Sequence, residues 1–139
     1  MTVMVWDDSL DVGVEAMNSE HKGLLDLMNA LHDAASSGVD ASRTIQLLDR
    51  LERATVDHFA HEERHMERIG FPEIERHKLI HADLLSKFAG HAALIRETRE
   101  VPDTFFDFLR YWLSAHIKGI DVKYGRFEKE SGGAQRAAG

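Results

Sequence analysis

Histidines and carboxylates recur at helical spacing in this sequence, and both are side chains that bind transition metals. His77 and His81 are four residues apart, so on a helix their Cβ atoms lie roughly 6 Å apart and both imidazoles can reach one ion. His58 and Glu62 have the same spacing, and such a carboxylate can also reach a second ion. Nine histidines are about three times the usual share of this most common metal ligand.

Ligand-type residues interrupt the apolar stripe of every predicted helix. Burying so many polar groups without partners would cost several kcal/mol for each group, which a marginally stable small domain cannot offset. A bound metal would satisfy them. A single histidine pair is a weak signal, but the whole set lies in register on four helices. The predicted ligands are His21, His58, Glu62, His77, His81, His116 and Asp121.

The last two predicted ligands have an unusual spacing. His116 and Asp121 are five residues apart, which on a regular α-helix turns their side chains about 140° away from each other. They can share a site only if the helix ends or widens between them. A π-bulge would widen it, and Gly119 lies where the backbone could relax. The spacing therefore predicts an irregular turn between His116 and Asp121.

The elements that must position these ligands are all helical. Apolar residues recur with helical period over 18–36, 40–69 and 72–97 and from residue 103 onward, with Asn18 or Ser19 as the first N-cap, Asp40 as the second and Gly70 as a stop. Pro72 and Pro102 are expected at helix starts. No segment alternates with period two, so no sheet is predicted.

Short loops between four helices predict an all-α, antiparallel up-down four-helix bundle, with an N-terminal arm and a short C-terminal helix or tail. The expected domain spans residues 1–130. Its first 14 residues, which contain Trp6, form the arm. Residues 131–139 are rich in glycine and alanine, have little apolar surface to bury, and are expected to form a flexible tail.

Composition excludes several classes of protein. No apolar run approaches the roughly 20 residues that span a bilayer, and the start lacks the features of a signal peptide. Without cysteine the chain can form neither disulfides nor thiolate metal sites, which fits a cytoplasmic protein. A net charge of −7 argues against nucleic acid as the main partner.

One motif match points to different chemistry. His61, Glu62 and His65 fit H-E-x-x-H, the zinc metalloprotease signature. We reject that interpretation because it leaves His58 and four other ligand-type residues unexplained and offers no sheet for a peptide substrate. Glu62 and His65 also fit the ferritin-type Glu-x-x-His motif, but no second copy lies where that fold needs one.

The remaining histidines are expected to lie outside the metal site. His65 is one heptad from His58, so it could support the ligands, bind a stray metal or sit at the rim of the bundle, and the rim is favoured. His32, His61 and His91 are interpreted as solvated surface residues.

Over nearly its whole length the sequence resembles the hemerythrins, in particular the single-domain bacterial hemerythrins. The segments that carry the resemblance are the arm from Val5-Trp6 to Val12-Gly13-Val14, Glu20-His21-Lys22, the run from His58 to Met66, Gly70-Phe71-Pro72, the run from His77 to His81, and the run from Trp112 to Gly125. The full ligand set of the family is present at matching spacing.

The resemblance implies a centre of two iron ions with unequal ligands. One iron would be held by His77, His81 and His116, and the other by His21 and His58. Glu62 and Asp121 would bridge both ions beside an oxo or hydroxo bridge. Two six-coordinate ions then keep one open position, on the iron with fewer histidines, where dioxygen should bind.

The balance of ligands also bears on the reaction. Carboxylate-rich sites favour high-valent iron and oxidation of a substrate, whereas a histidine-rich site stabilises ferrous iron and favours reversible binding. An apolar wall around the open position would exclude water and protons. The residues expected to form this oxygen pocket, or simply core packing, are Leu24, Leu25, Met28, Trp112 and Leu113.

The resulting expectation is a protein, not an enzyme, that binds dioxygen reversibly for storage, delivery or sensing, with dioxygen as its partner and no nucleic acid or membrane. Whether a downstream protein receives or senses the oxygen stays an open question. One alternative is a di-iron peroxidase or oxidase acting on peroxide, nitric oxide or an organic donor. The other is a histidine phosphotransfer bundle, which needs one exposed histidine and no buried ligands.

Overall fold

The computed structural model describes residues 5–138, and the side chains as far as residue 131. A 3₁₀ turn at Asp8–Leu10 precedes four long helices: α1 (Glu15–Ser36), α2 (Ala41–Ile69), α3 (Ile74–Thr98) and α4 (Asp103–His116). A π-helical segment, Ile117–Asp121, connects α4 to α5 (Val122–Ala138). The described residues contain no strand, and the predicted all-α four-helix bundle is confirmed.

The first helix begins earlier than the sequence predicts. Neither Asn18 nor Ser19 is its N-cap, because α1 starts at Glu15 after an extended Val14. The side chain of Asn18 serves the arm: its oxygen accepts a hydrogen bond from the Val12 amide at 3.0 Å, and its nitrogen donates to Asp11 at 2.7 Å. The capping-type residue therefore fixes the arm, and its signal was assigned to the wrong role.

The ends of α2 follow their predicted chemistry. Asp40 caps the helix by accepting a hydrogen bond from the Ser42 amide at 3.2 Å. Gly70 ends it in the left-handed conformation at φ 68°, where a side chain would be strained. Pro72 lies in the turn just before α3, and Pro102 caps α4.

The C-terminal helix is longer than expected. Residues 131–138, predicted as a tail, continue the backbone of α5, and Gly139 lies outside the described residues. Glycine and alanine give no apolar stripe that would have marked this extension in the sequence. Whether the segment is flexible stays a prediction.

The arm lies on the bundle, as predicted, over the part that the structure describes. Leu10 and Val12 are buried, and the Lys22 ammonium lies 4.8 Å from the centre of the Trp6 ring. The arm passes so close to α5 that a Cβ added to Gly125 would lie 1.7 Å from the Val12 carbonyl oxygen. Only glycine permits this approach. Residues 1–4 of the predicted arm lie outside the described part.

The bundle has two halves with opposite chemistry. One half contains the seven predicted ligands, and we call it the ligand half. Helices α1 and α3 begin in this half, and helices α2 and α4 end in it. The other, which we call the apolar half, is filled by fully buried aliphatic and aromatic side chains: Leu31, Leu48, Phe88, Ile95, Phe105 and Leu109. Within residues 5–138, no helix has both the length and the apolar character needed to cross a membrane.

Candidate metal centre

The structure brings all seven predicted ligands together inside the bundle. Each is at most 4% exposed. Their ligand atoms form two overlapping groups, and within each group the atoms lie within 4.8 Å of one another. The three-histidine group consists of His77, His81 and His116 with both carboxylates, and the two-histidine group consists of His21 and His58 with the same carboxylates. Glu62 and Asp121 belong to both.

The predicted irregular turn is present and places Asp121. The π-helical segment Ile117–Asp121 widens the backbone after α4, as the five-residue spacing requires. The Oδ1 atom of Asp121 consequently lies 2.8 Å from the Nε2 atom of His116, a contact that a regular α-helix would not allow.

Asp121 faces both groups with different oxygens. Its Oδ1 lies 3.0 Å from the Nε2 atom of His77, in the three-histidine group, while its Oδ2 lies 3.2 Å from the Nε2 atom of His21. This is the arrangement expected of a carboxylate that spans two ions.

Glu62 is shared in a less symmetric way. Its Oε1 lies 3.1 Å from the Nε2 atom of His81 and 3.4 Å from that of His58, one histidine from each group. Its Oε2 lies 3.7 Å from His21 and accepts a hydrogen bond from the hydroxyl of Tyr124 at 2.6 Å. Tyr124 on α5 therefore holds the carboxylate in place.

The donor atoms fit a metal better than they fit one another. Among the residues that the structure describes, the Nε2 atoms of all five histidines are buried without a hydrogen bond. Each nevertheless lies 2.8 to 3.4 Å from a carboxylate oxygen. Adjacent ligands of an octahedral ion with bonds of about 2.1 Å are about 3.0 Å apart. Imidazole and carboxylate donors without thiolate suit iron.

The negative charge of the two buried carboxylates also favours binding of a cation. Burial raises the pKa of Glu62, but the charge of His58 and the surrounding imidazoles outweigh it and hold the pKa well below its ordinary value. Burial and the charge of Glu62 raise the pKa of Asp121, yet His116 and His21 lower it to about 2. Two buried carboxylates thus stay ionised side by side.

Imidazole protonation balances this charge in the metal-free protein. Burial lowers the pKa of His58, but the charge of Glu62 and the hydrogen bond to Glu20 raise it to about 10. The pKa of Tyr124 is raised by burial and by the nearby carboxylates, so its hydroxyl keeps the proton that it donates to Glu62.

Two further carboxylates orient the histidines from behind. The Nδ1 atom of His58 lies 2.6 Å from Glu20, and that of His81 lies 2.9 Å from Glu63, so each ring turns its Nε2 toward the cluster. Glu20, Glu63 and Tyr124 were not predicted as part of the site. Their positions in the sequence could have indicated them. Glu20 and Glu63 are each adjacent to a predicted ligand, and Tyr124 lies about one turn after Asp121.

The predicted pocket residues are all buried in the core: Leu24, Leu25, Met28, Trp112 and Leu113. A further apolar residue was missed. The ring of Phe59 stacks parallel to that of His81 at 3.9 Å and meets Trp112 edge-on at 5.4 Å. That these residues line an oxygen pocket stays a prediction.

His65 belongs to neither ligand group, and it is not solvated. It is 7% exposed, because α5 covers it. Its Nε2 lies 2.7 Å from Glu128, its Nδ1 accepts a hydrogen bond from Arg68 at 2.7 Å, and its ring meets the edge of Tyr124. These contacts show that His65 is buried beside the end of α2, and its role stays a prediction.

The other three histidines differ from one another. His61 is exposed, as expected, although it contacts Glu20. His32 and His91 are half-buried, against Phe106 and Phe108 respectively, so they are less solvated than expected. Each of these rings packs against an aromatic residue of α4.

Comparison with known proteins agrees with this geometry. The family model described as the hemerythrin HHE cation binding domain matches residues 12–127. A bacteriohemerythrin of Methylococcus capsulatus is 34% identical over 90% of this chain and 96% of its own, and a myohemerythrin of Riftia pachyptila is 35% identical over 86% and 89%. The crystal structure of a wild-type hemerythrin is 31% identical and superposes with a TM-score of 0.81, covering 88% of this chain and 95% of that one. The chain belongs to the hemerythrin family.

Proposed function

We propose that this chain binds dioxygen reversibly at a non-haem centre of two iron ions. His77, His81 and His116 would hold one ion, His21 and His58 would hold the other, and Glu62 and Asp121 would contribute to both. Iron ions held there would supply electrons to dioxygen when it binds and would recover them when it leaves. Family membership supports this function, since hemerythrins bind oxygen at such a centre.

The observation that carries the proposal is the unequal division of the cluster. Three imidazoles converge on one side and two on the other, while both carboxylates belong to both groups. The two-histidine side therefore has fewer protein ligands and is the side on which a small molecule can bind. A cluster that saturated both ions with protein atoms could not do this.

The chain's own residues favour binding over turnover. Five imidazoles against two carboxylates form a donor set that stabilises ferrous iron. Tyr124 fixes Glu62 through its hydroxyl, and the rings of Phe59 and Trp112 contact histidines of the cluster. We infer that they and four other buried side chains form an apolar wall that excludes water: Leu24, Leu25, Met28 and Leu113. We infer that the protein stores, delivers or senses oxygen and that any peroxidase or oxidase activity is weak.

The direct test is anaerobic reconstitution with ferrous iron, followed by iron analysis and visible spectroscopy. We expect two irons per chain and an absorption band that appears in air and disappears when oxygen is removed, over repeated cycles. A reductant should be consumed only slowly. Steady consumption of reductant without a stable oxygenated form would support the peroxidase or oxidase alternative and overturn the proposal. Absence of iron would exclude both.

A further inference from the structure

A row of hydrogen bonds connects the two-histidine group to the surface. The Nδ1 atom of His58 lies 2.6 Å from Glu20 Oε1, and the Nδ1 atom of His61 lies 2.8 Å from the other oxygen, Oε2. Exposure of the side chains rises along the row, from 2% for His58 to 32% for Glu20 and 44% for His61. An exposed histidine thus contacts a buried predicted ligand through one carboxylate.

The geometry makes Glu20 a carboxylate held at two points. It lies on α1, while both histidines lie on α2, about one turn apart. With both oxygens bound, the plane of the carboxylate is fixed. That orientation turns the Nε2 atom of His58 toward the cluster, where it lies 3.4 Å from Glu62 Oε1.

The corresponding carboxylate of the three-histidine group is held differently. Glu63 accepts from the Nδ1 atom of His81 at 2.9 Å, and among the described residues its side chain contacts no second histidine. The carboxylate that contacts two histidines, Glu20, therefore supports the two-histidine group, which has fewer ligands. There a single displaced imidazole would remove half of the histidine donors.

We propose that His61 is a positioning residue that fixes Glu20 against His58 and thereby strengthens metal binding at the two-histidine group. The inference rests on the proposed function only in that the cluster must bind metal. Without His61, a partly exposed glutamate regains rotamers that point to water, and the ring of His58 loses its fixed partner. The expected result is selective weakening of one ion site.

The experiment is an anaerobic titration of metal-free protein with cobalt(II), whose absorption reports each ion as it binds. Outer partners of ligating histidines typically contribute 10- to 100-fold in affinity, so Glu20→Gln should weaken the second ion by about that factor. His61→Ala acts through Glu20 and should weaken it by about three- to tenfold. The first ion, at the three-histidine group, should bind as in the wild type.

Two variants serve as controls. The side-chain amide of His61→Gln can still donate to Glu20, so this variant should restore most of the affinity for the second ion. Arg64→Ala removes an exposed residue of the same helix and should leave both affinities unchanged. A merely structural role for His61 would weaken both ions and lower the melting temperature, and it would not be rescued by glutamine.

A second readout follows the hydrogen bond itself. In the zinc-loaded protein, the Nδ1 proton of His58 should exchange with solvent faster in His61→Ala than in the wild type or in His61→Gln. Equal cobalt affinities for wild type and His61→Ala, together with equal exchange rates, would overturn the inference. If cobalt binds as expected but iron-loaded wild type takes up no oxygen, the proposed function fails while the role of His61 stands.

Discussion

The two halves of the bundle are built from the same helices and are equally buried, yet the side chains in one half are apolar and those in the other are polar. In the apolar half, Phe88 and Phe105 meet edge-on within a shell of leucine and isoleucine. In the ligand half, seven polar side chains occupy equally buried positions. Burial of apolar surface stabilises the first, whereas burial of unpartnered imidazoles and carboxylates destabilises the second.

We infer that stability and function are divided along the helix axis. The apolar half supports the fold whether or not metal is bound. Ions that satisfy the donor atoms of the ligand half should stabilise it further, because metal-binding energy is then part of the folding energy. Changes in the two halves should therefore have separable effects.

The largest expected effect comes from removing a ligand. His77→Ala takes away one of three imidazoles around the first ion, so the variant should hold fewer than two irons and lose the oxygen-dependent absorption band. Iron analysis and visible spectroscopy check this. His91→Ala, which removes a histidine of the same helix outside the cluster, should keep both irons. A variant at His77 that retained two irons and the band would contradict the assignment.

Truncating a large apolar side chain should lower stability and leave iron binding intact. Phe88→Ala leaves a cavity in the apolar half and should lower the free energy of unfolding by about 3–5 kcal/mol. Urea unfolding of the metal-free protein measures this loss, while the folded fraction should still bind two irons. Loss of iron from the folded variant would mean that the halves are not separable.

A smaller effect is expected where the arm crosses α5. Gly125→Ala places a methyl group against the Val12 carbonyl, and displacement of the arm should cost about 1–3 kcal/mol of unfolding free energy. The matched control is Gly90→Ala, which meets no neighbouring atom and should stabilise α3 by up to about 1 kcal/mol. Equal melting temperatures for the two variants would contradict the close approach.

The smallest effect, when expressed for each unit of pH, is a difference in pH dependence. In the metal-free protein the pKa of His58 is raised from 6.5 to about 10, so its stabilising contribution is complete below pH 6.5 and is lost as the pH rises through 10. The melting temperature of metal-free protein should fall by a few degrees for each unit of pH between pH 7 and pH 10. Metal-loaded protein and metal-free His58→Gln should show a flatter dependence over the same range.

Much of the site could be predicted because its signals are local. Four-residue spacing placed His77 with His81, and five-residue spacing between His116 and Asp121 required the π-helical segment that the structure contains. The bundle followed from helical stripes and short loops. These features depend on geometry within one helix, which a sequence displays directly.

The residues that were missed depend on contacts between elements. Glu20 and Glu63 look like ordinary surface acids until the packing of α1, α2 and α3 brings each against a histidine of another helix. His65 is buried, and Glu128 on α5 contacts it. Asn18 has the chemistry of a helix cap but is used by the arm. No pattern within one helix reports such pairings.

The central claim is most directly tested by locating iron in crystals of the reconstituted protein through anomalous scattering at the iron edge. We expect two peaks inside the ligand half, one beside His77, His81 and His116 and the other beside His21 and His58, with Glu62 and Asp121 between them. A single peak, or two ions with every position filled by protein atoms, would contradict it.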